Sequence, residues 1–165
     1  MNCPNCGAPM VLLEGRPVWH CDHCDTVVRP AGVPEGVRVL NARDDNARSC
    51  PVCGRSLRAA ILDDRARIDV CERCSGILIQ REVFAETLMA RRRAAVTPAI
   101  VPPPVDGDEM ERRVACPFCA NTMITDWYYG PGHVIIDRCV RCDLVWLDGG
   151  EFKTLVDAPG PDRSL

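Results

Sequence analysis

Cys116-Pro117-Phe118-Cys119, followed after 19 residues by Cys139-Val140-Arg141-Cys142, decides the reading of this chain, because the same layout occurs twice more. Cys50-Pro51-Val52-Cys53-Gly54 precedes Cys71-Glu72-Arg73-Cys74 with 17 residues between the pairs. Cys3-Pro4-Asn5-Cys6-Gly7 precedes Cys21-Asp22-His23-Cys24 with 14 between. All 12 cysteines are used, so the repeat accounts for every one. The two longer gaps fall inside the zinc window of Cys-x2-Cys-x15–20-Cys-x2-Cys, and the first is one residue short of it.

The repeat extends beyond cysteine. Proline follows the first cysteine of each unit, and an apolar residue stands four places after the second: Met10, Leu57 and Met123. Another stands three places before the third: Val18, Ile68 and Ile136. Two residues between cysteines allow a tight turn that aims both sulfurs at one ion. Proline presets φ in that turn, and a following glycine accepts positive φ. Turn residues lie mid-gap: Glu14-Gly15, Asp63-Asp64 and Gly130-Pro131-Gly132. Each unit therefore reads as a hairpin carrying a cysteine knuckle at each end, a zinc ribbon.

The expected architecture is small, metal-bound and mainly β, with three tandem ribbons, one or two short helices and Pro-rich linkers. Residues 1–28 form ribbon one, 29–49 a linker, 50–95 ribbon two with a short helix, 96–115 a Pro-rich acidic linker, 116–156 ribbon three and 157–165 a tail. Within the first linker, Val37 to Leu40 reads either as a strand packing on a neighbour or as extended chain. Good helix formers fill Gln80 to Ala95, where Val83, Phe84, Thr87 and Leu88 fall on one face. A second short helix is expected over Gly150 to Val156, with Phe152 and Leu155 inward.

Units this small bury too little apolar surface to fold alone, so metal is expected to stabilise them. Three zinc ions are expected, held by Cys3, Cys6, Cys21 and Cys24; by Cys50, Cys53, Cys71 and Cys74; and by Cys116, Cys119, Cys139 and Cys142. Ligand sets that cross between units are the alternative to local pairing. His20, His23 and His133 are surplus, since each set already has four sulfurs. The chain opens Met1-Asn2-Cys3-Pro4, with no apolar signal stretch ahead of the first pair, and has no run near the roughly 18 apolar residues of a membrane span. The expected compartment is a reducing cytoplasm, where paired cysteines read as metal ligands rather than disulfides.

The residues after the last cysteine of unit three, Leu144-Val145-Trp146-Leu147-Asp148-Gly149-Gly150-Glu151-Phe152, add a resemblance. Unit three is similar to the transcription factor IIB-type zinc-ribbon family of small bacterial proteins, whose second knuckle is followed by x-Gly-x-Trp-Leu-Asp-x-Gly-Glu-Leu. Trp146, Leu147, Asp148, Gly150 and Glu151 match, and Leu144 stands where glycine is usual. Unit two keeps Gly76 but has Leu78, Gln80, Glu82 and Val83 in place of Trp, Asp, Gly and Glu. Unit one keeps only the knuckles. The resemblance implies zinc and the ribbon fold and, through the family's name, a link to transcription with RNA polymerase as a partner to consider. Asp148 and Glu151 read as a turn and an acidic helix start, or as exposed acids for recognition.

Four-cysteine sites leave a zinc ion no open position, and no hydrolase or nucleotide-binding motif is present, so the chain is expected not to be an enzyme and to take no small-molecule substrate. Thiol–disulfide exchange is a remote alternative, because no cysteine is left over. A protein-docking module is the leading expectation. Nucleic-acid binding is the rival, through Arg55, Arg58, Arg65, Arg67, Arg91, Arg92 and Arg93 of unit two. The formal charge of −3 becomes about −9 once three zinc tetrathiolates are included, which disfavours a global pull toward phosphate. Trp127-Tyr128-Tyr129 at the third hairpin's turn reads as an exposed tip or as cross-strand packing.

Overall fold

A computed structural model describes residues 2–3, 5–12, 19–28, 33–40, 48–95 and 110–160. Among them are two sheets. The first belongs to unit one and orders β1 (Val11–Leu12), β2 (Trp19–His20) and β3 (Val27–Val28) antiparallel. The second has seven strands in the order β4-β5-β6-β7-β10-β9-β8. Its members are β4 (Val37–Val39), β5 (Arg58–Leu62), β6 (Ala66–Val70), β7 (Ile77–Gln80), β8 (Ile124–Trp127), β9 (Ile135–Cys139) and β10 (Leu144–Leu147). Helix α1 (Arg81–Ala94) follows β7, and α2 (Glu151–Asp157) follows β10. The mainly β, tandem-ribbon reading and both helices hold. The turn at Glu14-Gly15, Val18, the Pro102–Pro104 run and residues 161–165 lie outside the described residues.

Units two and three are not separate beads. They share one sheet through β7 and β10, which pair antiparallel as Ile77↔Leu147, Leu78↔Trp146, Ile79↔Val145 and Gln80↔Leu144. Counting from the fourth cysteine of each unit, Leu78 and Trp146 occupy the same position, so the pairing relates the units by a local twofold axis. Alternation along the strands then makes two cores. Ile77, Ile79, Val145 and Leu147 join Ile68, Ile136 and the helix residues Phe84, Leu88, Phe152 and Leu155 on one face. Leu78 and Trp146 face the other way, among Leu57, Met123 and the cysteines of both units. Phe84 and Phe152 are also equivalent positions, and their rings meet across the axis at 6.3 Å. Full burial of each such side chain contributes about 1.5–3 kcal/mol.

The departures of the two units from the family pattern complement each other. Unit two keeps the glycine and lacks the tryptophan; unit three has the tryptophan and lacks the glycine. In the structure the retained pair meets across the axis: a Cβ on Gly76 would lie 2.2 Å from Cζ2 of Trp146, whose side chain is fully buried. On the same seam, a Cβ on Gly149 would lie 2.3 Å from the carbonyl oxygen of Cys74.

Flanking segments add to this body. Val37 to Val39, inside the expected linker 29–49, forms a strand that pairs with β5, Val37↔Leu62 and Val39↔Ala60. Val114, at the end of the expected linker 96–115, is buried in the cysteine-side core. No helix among the described residues is long and apolar enough to cross a membrane.

Gly76→Ala is expected to destabilise the zinc-loaded protein by about 1–3 kcal/mol through overpacking. Much of that cost should disappear when the change is made in a Trp146→Leu background, because the ring it strikes is gone. Denaturant unfolding of the four proteins measures the coupling, and strict additivity would refute the cross-axis contact.

Candidate metal centres

Each knuckle has one backbone design, and the residue after its second cysteine carries it. Gly7, Asp25, Gly54, Ser75, Ala120 and Asp143 all have positive φ, between 54° and 76°. At the first five of these, the N–H of that residue donates to the carbonyl of the knuckle's first cysteine at 2.8–3.0 Å. Glycine at two of the six relieves the steric cost; the other four accept it. Backbone N–H groups of Asn5, Cys53 and Phe118 approach Sγ of Cys3, Cys50 and Cys116 at 3.4–3.5 Å. Such donors stabilise thiolate charge.

The hairpins bring the two knuckles of each unit together, so pairing is local. Within each set of four the sulfurs all lie within 4.8 Å of one another. Cys3–Cys24 and Cys6–Cys21 are 3.6 and 3.5 Å apart, Cys50–Cys74 and Cys53–Cys71 are 3.6 and 3.4 Å, and Cys119–Cys139 is 3.6 Å. A disulfide needs about 2.0 Å, and none is formed. Four sulfurs at 2.3 Å from a tetrahedral zinc are about 3.8 Å apart, which these spacings approach. The three groups therefore fit zinc, each with four sulfur ligands and no open position. Bound there, zinc would tie the two knuckles of each unit together, with sulfur filling its coordination shell.

Without a cation the sulfurs cannot share one protonation state. Its contact with Cys50 holds Cys74 far above the usual thiol range, while the same contact draws Cys50 down to about 5. Contact with Cys119 pushes Cys142 up to about 12, and the backbone N–H of Asn121 helps bring Cys119 to about 7. A divalent ion resolves the conflict by replacing the retained protons.

No histidine joins a cluster. His20 instead faces Asp22 at 2.9 Å and Asp25 at 3.5 Å, while His23 and His133 are exposed. Unit one differs from the others in exposure: Cys6 is exposed, and Cys3, Met10 and Cys21 form its small core.

Arg112 has no signal in the sequence beyond its place in a charged linker, yet it locks the third unit. Its guanidinium bonds both Asp137 and Asp148, which are fully or nearly fully buried on the cysteine side of the sheet. Burial works against the Arg112 charge, but Asp148 and Asp137 outweigh it and raise its pKa above the ordinary value. Burial likewise pushes the Asp137 carboxyl up, against the pull of Thr125, which donates to it at 2.6 Å, and of Arg112. Trp146 Nε1–H donates to Asp148 at 2.9 Å, and the Asp148 N–H donates to Glu151 at 2.6 Å. Asp148 thus serves the turn and the tryptophan, and the reading of it as an exposed recognition acid is set aside.

The arrangement defines a tandem zinc-ribbon protein. Residues 49–86, which contain unit two and the start of α1, match the family described as transcription factor zinc-finger, so this stretch is a ribbon of the transcription factor IIB type. The match falls on unit two, whereas the fullest sequence resemblance lies after the last cysteine of unit three; the two units nonetheless share one strand plan. No curated protein matches the chain, and no solved structure matches it.

Zinc uptake at neutral pH is expected to release protons from the raised thiols, Cys74 and Cys142 among them, so zinc affinity should fall as pH falls. Calorimetry in buffers of different ionisation enthalpy reads the proton count. Chelation under reducing conditions should abolish the native circular dichroism, and its persistence would contradict a zinc-dependent fold. Arg112→Met should cost about 3–5 kcal/mol, because it strands two buried carboxylates; a loss under 1 kcal/mol would contradict the lock.

Proposed function

We propose that this protein is a non-enzymatic docking module, in which zinc closes rigid ribbons that present a surface to a protein partner. The observation that carries this reading is where the arginines and the large apolar side chains go. Arg91 grips Asp63 through two bonds of 2.6 Å and donates to the Glu35 carbonyl, and its guanidinium lies 5.2 Å from the centre of the Phe152 ring. Arg92 donates to the carbonyls of Leu155 and Gly160, and Arg58 reaches Glu72 and the Leu40 carbonyl. Three of the seven arginines expected to contact phosphate are therefore committed to holding the fold, two of them in the α1 run 91–93.

Exposed apolar side chains supply the alternative surface. Phe118 at a knuckle tip, Ile124 and Trp127 on β8, and Tyr129 beyond it are all exposed, Tyr129 by 78%. Tyr128 is different: it is buried and meets Phe84 edge-on at 5.7 Å. Within the aromatic run, Trp127 and Tyr129 are recognition candidates and Tyr128 is a core residue. Closed four-sulfur shells support the non-enzymatic part of the reading, and the matched family's description supports transcription as the setting, with RNA polymerase as the partner to examine.

Purification of the tagged, zinc-loaded protein from its own host, followed by mass spectrometry, tests this. A stoichiometric protein partner whose binding tolerates salt and weakens on Trp127→Ala or Tyr129→Ala is expected. Binding to nucleic acid that falls steeply with salt and needs Arg55, Arg65, Arg67 and Arg93 would overturn it.

A further inference from the structure

Exposure separates the three sulfur clusters. Cys6 is the only one of the 12 cysteines that is exposed; Cys53 and Cys119, at the same place in units two and three, are half-buried. Sulfur spacing does not separate them. Cys6 lies 3.5 Å from the buried Cys21, while the equivalent pairs Cys53–Cys71 and Cys119–Cys139 are 3.4 and 3.6 Å apart. An incoming oxidant therefore meets the same pair of neighbouring sulfurs in every unit, but an exposed cysteine only in unit one.

The surroundings differ in the same sense. In units two and three the cysteines of all four knuckles join one core with Leu57, Leu78, Val114, Met123 and the fully buried Trp146. Unit one has Cys3, Met10 and Cys21 as its buried core, and β1, β2 and β3 are two residues each. Among the described residues, none of these three strands pairs with the seven-stranded sheet. A unit with so little apolar surface depends on its sulfur–metal bonds more than the other two do. Cutting those bonds undoes unit one and leaves the larger body folded.

We propose that Cys6 is a site of oxidation by hydrogen peroxide, with Cys21 as its resolving partner, and that the disulfide they form releases zinc from unit one alone. Cysteine oxidation follows thiolate character and exposure, and ligation to zinc keeps Cys6 a thiolate. Cys6 Sγ attacks one peroxide oxygen; an S–O bond forms, the O–O bond breaks and hydroxide leaves. The Cys21 thiolate then attacks Cys6 Sγ, forming the S–S bond and expelling a second hydroxide. Two solvent protons turn both hydroxides into water, so the two sulfurs lose the two electrons that the peroxide gains. In this step the sulfurs close from 3.5 Å to about 2.0 Å. Cys3 and Cys24 remain, too few to complete a four-sulfur site. A thiol reductant and fresh zinc restore the unit. The switch stands apart from the docking reading and does not depend on it.

The test treats the full zinc-loaded chain with hydrogen peroxide, beside a peroxide-free control. A chromogenic chelator counts released zinc, and timed alkylation with peptide mass spectrometry locates the oxidised sulfurs. Release of one ion of the three, in step with a Cys6–Cys21 disulfide, is expected. Amide NMR signals of β1, β2 and β3 should then be lost while those of the seven-stranded sheet persist. Cys6→His keeps a four-ligand site and should slow the first release at least about tenfold, whereas Cys53→His should leave it unaltered. If Cys6→His does not hold three ions, the order of oxidation in the unaltered chain decides. First oxidation in unit two or three, equal loss from all three sites, a first disulfide without Cys6, or no release in excess peroxide would each overturn the proposal. So would Cys6 oxidised beyond the sulfenic acid with no disulfide formed.

Discussion

Zinc–thiolate ligation is the constraint on which the rest of the molecule depends. A hairpin of five-residue strands has too little apolar surface to offset the entropy of ordering it. Four sulfurs drawn to one ion close each hairpin at its base, at apparent free energies of about 10–16 kcal/mol in isolated fingers. The knuckle backbones show the cost accepted for that closure, since four non-glycine residues sit at positive φ to aim the sulfurs. Once closed, the knuckles of units two and three hold Leu57 and Met123 under the metal sites and leave the third strand of each of these two ribbons to pair outward.

That outward pairing turns two ribbons into one body. Antiparallel strands of the same position in a repeat meet as they would in a symmetric dimer, with each contact made twice. Covalent linkage of the two halves then allows the contacts to differ. One glycine lies under one tryptophan, and the opposite place is taken by two leucines, Leu78 and Leu144. Divergence between the halves also separates their outer edges, one paired with β4 and one presenting Ile124 and Trp127.

Much of this is legible in the sequence. Cysteine spacing specifies the ligand sets, Asp63-Asp64 marks a tight hairpin turn, with φ of 53° and 55°, and helical periodicity finds Phe84, Leu88, Phe152 and Leu155. The join between units is harder to read, although a trace exists. Ile77-Leu78-Ile79 and Val145-Trp146-Leu147 are continuous apolar runs, which suit a strand buried on both faces better than the outer strand of an isolated ribbon. Arg112 was illegible because nothing local marks it. Its role depends on Asp137 and Asp148, which come from 25 and 36 residues away. The arginines of α1 look like a basic patch in sequence because their partners, Asp63 and the carbonyls of Glu35, Leu155 and Gly160, are equally remote.

Site-resolved hydrogen exchange of the zinc-loaded protein tests the shared sheet most directly. Amides of Ile77 to Gln80 and of Leu144 to Leu147 that are donated across the β7–β10 seam should exchange only through global unfolding, with matching protection in both strands. Rapid exchange along that seam, with the two hairpins themselves protected, would mean that the ribbons are separate bodies and would contradict the account.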